Sequence, residues 1–170
     1  MARTVALLAT LAISLACAKS DDRSSQTQSP SPSSAPKPKN ADIPVGMASV
    51  VFTNADGKQA VVYVDVAREP GELQRGLMYR RHMGWNRGMV FLFTAEEQQS
   101  FWMKNTLIPL DMIFVRSDMT VLGVVHNAEP RTLTSRRVEG LSQFVVETNA
   151  GWAKEHNIGA GAQVKFVDVD

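Results

Sequence analysis

Short apolar runs rich in β-branched residues, separated by turn signals, dominate the chain from residue 46 onward. Residues 48–53 and 59–66 flank Asn54-Ala55-Asp56-Gly57 and read as a β-hairpin around an Asp-Gly turn. Pro70-Gly71-Glu72 opens a short helix that runs to Met78 and places Leu73, Leu77 and Met78 on one face. Further strands are expected at 88–93, 101–104, 111–115, 120–126, 143–148 and 163–169, with a second helix at 151–156 that ends by Gly159. Many short strands with few helices predict a mainly β, compact single domain, a β-sandwich or barrel-like fold with two short helices.

The first 45 residues follow a different pattern. One basic residue, Arg3, precedes the apolar run 5–13 and the small residues Ser14, Ala16 and Ala18, which is the layout of a secretory signal peptide over residues 1–18. The run is well short of the ~20 apolar residues that span a bilayer. Ser14-Leu15-Ala16-Cys17 is similar to the lipobox of bacterial lipoproteins, with Ser14 where an aliphatic residue is usual, so Cys17 is the expected lipidation site. The competing reading takes Ala16-Cys17-Ala18 as an Ala-X-Ala cleavage site that releases the chain without an anchor. Residues 19–45 are Ser/Pro-rich with almost no apolar side chains, a disordered spacer before the β domain at 46–170. Export to the cell envelope or periplasm with a lipid anchor is the resulting expectation.

Composition narrows the chemistry. Among 170 residues, 18 Lys and Arg against 17 Asp and Glu leave a net charge of +1, so no global field favours nucleic acid. Cys17 is the single cysteine, which removes disulfides and thiol catalysis from the domain, and the scattered His82, His126 and His156 predict no metal site. No dinucleotide fingerprint or nucleophile elbow is present, and no cofactor is expected.

The candidate chemistry lies in Phe101-Trp102-Met103-Lys104-Asn105-Thr106-Leu107-Ile108-Pro109-Leu110-Asp111-Met112-Ile113-Phe114, where Lys104, Asn105 and Asp111 interrupt an apolar run. Charges in such a setting need partners, so Lys104, Asp111 and Glu147 are expected to form a polar cluster. In a structural version, Lys104 bridges Asp111 or Glu147 while Asn105 ties down the loop to Pro109. In a functional version, the same groups line a concave site where Lys104 meets an anion and a carboxylate meets a hydroxyl or amine.

Arg75-Gly76-Leu77-Met78-Tyr79-Arg80, Gly88-Met89-Val90-Phe91-Leu92-Phe93, the 101–114 segment, Val146-Glu147 and Ala150-Gly151-Trp152-Ala153 together resemble a bacterial and archaeal family known as domain of unknown function 192. The likeness spans about Val50 to Val169. It implies a compact, mainly β domain, often exported or tethered, with no established activity. Family members commonly carry Gly-Asp where this chain has Gly161-Ala162, which leaves Asp111 and Glu147 as the matched acidic positions.

The expected function is an envelope-tethered binding or interaction module, with Arg80, Trp102, Lys104, Asn105 and Asp111 facing the ligand. An anionic glycan, a lipid headgroup or a protein is the partner class, and binding is favoured over catalysis. The alternative is a hydrolase of cell-wall or other envelope polymers using Asp111 and Glu147 as acid and base.

Overall fold

The hairpin forms where the turn residues place it. Asn54 accepts the backbone N–H groups of Asp56 and Lys58 on its side-chain oxygen, both at 3.0 Å, and Gly57 takes the left-handed φ of 75°. This turn joins β1 (Ser49–Thr53) to β2 (Gln59–Ala67) in antiparallel register. These strands belong to a computed structural model that describes residues 46–169. The signal-peptide-like leader, Cys17 and the Ser/Pro-rich spacer lie outside the described residues.

The remaining elements are α1 (Pro70–Arg75), β3 (Arg87–Glu97), β4 (Leu110–Val115), β5 (Val121–Ala128), β6 (Ser142–Asn149), α2 (Trp152–Glu155) and β7 (Gln163–Val167). All seven strands form one mixed sheet in the order β5-β4-β6-β3-β2-β1-β7. Among the described residues only β2 and β3 pair in parallel, and α1 lies in the crossover that such a pair requires. The two outer strands approach each other at one end, where Thr120 bridges Gln163 and the Val121 N–H donates to the Ala162 carbonyl at 2.9 Å. The sheet is therefore a half-barrel, and the sandwich alternative is corrected to a single curled sheet.

Strand pairing sorts side chains onto two faces. Val50, Val62, Val90, Ile113 and Val146 belong to one apolar cluster, which Trp152 and Ala153 of α2 join. Phe91, Met103, Met112, Phe114 and Val145 belong to the other, against which Leu73 of α1 packs. Segments 98–109 and 129–141 also send residues to this second face, Phe101, Ile108 and Val138 among them. Phe101 meets Phe91 and Phe114 edge to face, with centroids 5.0 and 6.0 Å away.

One expected strand is not a strand. Residues 101–104 alternate in burial, but Phe101 makes only an isolated bridge to Arg136, and the segment runs over the sheet. The first helix ends at Arg75 instead of Met78, because Gly76 leaves helical geometry with φ 47° and ψ −132°.

Candidate functional site

The second face of the sheet is roofed by three segments that bond to one another through their backbones. The Tyr79 N–H donates to the Asn105 carbonyl at 2.9 Å, Arg131 N–H to the Thr106 carbonyl at 3.1 Å, and Met103 N–H to the Thr132 carbonyl at 3.0 Å. Tyr79 and Asn105 both hold positive φ, at 63° and 56°. The Asn105 amide donates to the Tyr79 hydroxyl at 2.9 Å and contacts the Met78 sulfur at 3.9 Å. Asn105 thus clamps the 76–80 segment, in place of the expected tie toward Pro109.

Beneath this roof is a cavity of about 260 Å³ whose lining includes Gly76, Phe91, Ser100, Trp102, Thr106 and Glu147. Glu147 projects from β6, where Met89 and Met112 are its neighbours on the two adjoining strands. It is only 4% exposed and has no hydrogen bond or ion pair to another described residue. Burial pushes its carboxyl up to about 8, since a charge there would lose its hydration without gaining a partner. At neutral pH the group is a carboxylic acid, able to donate and to accept. Gly76 keeps the roof close to it: a Cβ at Gly76 would stand 3.1 Å from the Phe91 ring and 4.0 Å from the Glu147 Oε2.

Arg75 is the other charged side chain lining this cavity, and it forms no ion pair with a described residue. Trp102, 47% exposed, stands in the wall, and Lys104 lies over its indole with Nζ 5.3 Å from the ring centroid. A second cavity of about 400 Å³ shares Arg75, Gly76 and Met78 with the first and is also lined by Glu72, Tyr79 and Arg80. Arg80 and Arg87 both grip Asp65, at 2.7 and 3.0 Å.

The expected cluster of Lys104, Asp111 and Glu147 does not form. Lys104 is exposed, and Asp111 is fully buried on the opposite face from Glu147, because Asp111 pairs with Thr148 while Glu147 pairs with Met112. Asp111 accepts the backbone N–H groups of Asn127 at 2.9 Å, Gly151 at 2.9 Å and Ala153 at 3.0 Å, with His126 Nδ1 at 3.8 Å. It therefore fastens the start of α2 to β4 and does not face a ligand. Its separation from Glu147 by the sheet also removes the expected acid–base pair.

Of the anticipated residues, Trp102 and Glu147 meet in the first cavity, Arg80 lines the second, and Lys104 and Asn105 brace them from outside. Phe91, Ser100, Thr106 and Gly76 were not expected at a site. The Gly76 position within Arg75-Gly76-Leu77 was the available signal for a close approach of backbone to the sheet.

A curled mixed sheet with a roofed cavity on one face and, at its base, an acid without a hydrogen-bond partner among the described residues defines a small β domain built around a pocket. The chain belongs to DUF192, described as "Uncharacterized ACR", whose family model matches residues 51–166. A Sinorhizobium meliloti protein, provisionally described as a transcription regulator, is similar in structure with a TM-score of 0.69 and 32% identity, over 74% of this chain and 98% of that one. A protein of unknown function from Novosphingobium aromaticivorans gives a TM-score of 0.67 and 36% identity, over 74% and 91%. No curated protein matches the chain.

Proposed function

We propose that this domain is a ligand-binding module of the cell envelope and that the cavity over Glu147 is its site. One observation carries the reading: a buried carboxyl with no hydrogen-bond partner among the described residues lines an open cavity. The Glu147 oxygens are not among the fully enclosed unmet polar atoms of the described residues, so they open to the cavity, where a molecule can bond them. A ligand entering the cavity supplies the missing partner. The walls combine apolar rings with the hydroxyls of Ser100 and Thr106 and the amides of Gln74 and Gln99, a mixture suited to a small polar molecule.

Binding is preferred to hydrolysis because Glu147 has no second carboxylate beside it in the cavity lining. An NMR screen with a small-molecule fragment library tests the site. Hits are expected to shift Gly76, Ser100 and Trp102, and Gln74→Trp, which fills the cavity from an exposed position on α1, is expected to abolish them. Hits that cluster elsewhere, or that survive Gln74→Trp, contradict the assignment.

The envelope address rests on the leader and spacer sequence at residues 1–45. A diacylated Cys17 followed by a Ser/Pro-rich linker would hold the domain at a membrane surface while leaving the cavity free to meet its ligand. Mass spectrometry of the mature N-terminus is expected to find lipid on Cys17. An unmodified terminus at Lys19 would show instead that the domain is released.

A further inference from the structure

Resting on the reading of the Glu147 cavity as the ligand site, we infer that its ligand is an acidic sugar, a single pyranose ring carrying a carboxylate, with the ring over Glu147 and the carboxylate at Arg75. Size comes first: about 260 Å³ is below the ~300 Å³ where sites for drug-sized molecules begin, so one ring is the natural occupant. The walls come next. Phe91, Phe93, Phe101 and Trp102 present apolar surface to the C–H edges of a ring, while Gln74, Gln99, Ser100 and Thr106 offer donors and acceptors to its hydroxyls.

Charge sets the class. Arg75 reaches the lining without an ion pair among the described residues, and a guanidinium in that state matches a carboxylate in a two-bond fork. Lys104 lies over the Trp102 indole outside the lining, so Arg75 carries the positive charge of the cavity itself. An amino sugar would bring its ammonium against the Arg75 guanidinium. Glu147 does not oppose an anion, because its buried carboxyl is uncharged near neutrality and donates its proton in a hydrogen bond to a ring oxygen. The groups flanking Glu147 on β3 and β4 are Met89 and Met112, and the 98–106 segment contributes Phe101, Trp102, Ser100 and Thr106 to the lining, so Arg75, which makes no ion pair with Glu147, is the one other ionisable residue of the lining.

The probes are three sugars of one ring size and different charge: glucuronate, glucose and glucosamine, each titrated into the full chain and followed by NMR at Trp102 and Gly76. Glucuronate is expected to bind at least about tenfold more tightly than glucose, with no detectable glucosamine binding at pH 6.5. Arg75→Gln is expected to weaken glucuronate about tenfold and to leave glucose unchanged. Raising the pH from 6.5 to 9 is expected to weaken glucuronate several-fold in the natural chain, where Glu147 ionises, and to have no such effect in Glu147→Gln, whose amide stays neutral. Equal affinity for glucose and glucuronate, or an unaltered Arg75→Gln, overturns the acidic class while leaving the site itself in place. Absence of any shift with all three sugars at high millimolar concentration overturns the sugar assignment, and fragment hits in the same cavity would then assign it to another small molecule, such as a lipid headgroup.

Discussion

Asp111 and Glu147 are both buried acids on neighbouring central strands, yet their surroundings give them opposite roles. Asp111 has three backbone N–H donors within 3.0 Å, enough to compensate a buried negative charge. Glu147 has none among the described residues and stays protonated at neutral pH. Asp111→Asn keeps the shape but turns one oxygen into an NH2 that faces amide donors. It is expected to cost about 3 kcal/mol and to lower the melting temperature by about 10 °C, while fragment binding in the Glu147 cavity persists at permissive temperature. Full stability combined with lost binding would instead assign Asp111 to the ligand site.

At the scale of elements, the cavity exists because the β2–α1–β3 crossover must pass over one face of the sheet. Gly88 lets the first turn of β3 lie close against β6, since a Cβ there would come within 2.3 Å of the Glu147 carbonyl oxygen. Most strands and both helices could be read from the chain, because β-branched runs bounded by Asp-Gly, Pro-Gly and Gly signals encode them locally. Strand order could not: the parallel placement of β2 beside β3 depends on the crossover and leaves no mark on either strand's pattern. Residues 101–104 show the limit clearly. Phe101, Trp102, Met103 and Lys104 alternate inward and outward as a strand would, but the alternation records which face packs and not whether a neighbouring strand is bonded. Trp102 and Glu147 were legible as site candidates because each stands out against its neighbours. The link drawn between Lys104 and Asp111 failed because pairing register, which decides the face of a side chain, is set by residues far away in sequence.

For the whole molecule, an uncharged Glu147 ties folding to pH. Its folded value near 8 is above the ordinary 4.5, so between those values the folded state holds a proton that the unfolded chain has released. This site's contribution to stability is complete below pH 4.5, is lost as pH rises toward 8, and changes no further above that. Chemical denaturation of the natural chain and Glu147→Gln across pH 5 to 8 tests this most directly. The account predicts that the natural chain loses about 1.4 kcal/mol per pH unit relative to Glu147→Gln and becomes the less stable of the two at the alkaline end. A stability difference that stays constant across the range would mean that Glu147 ionises as it does in water, and the partnerless buried acid on which the ligand site rests would not exist.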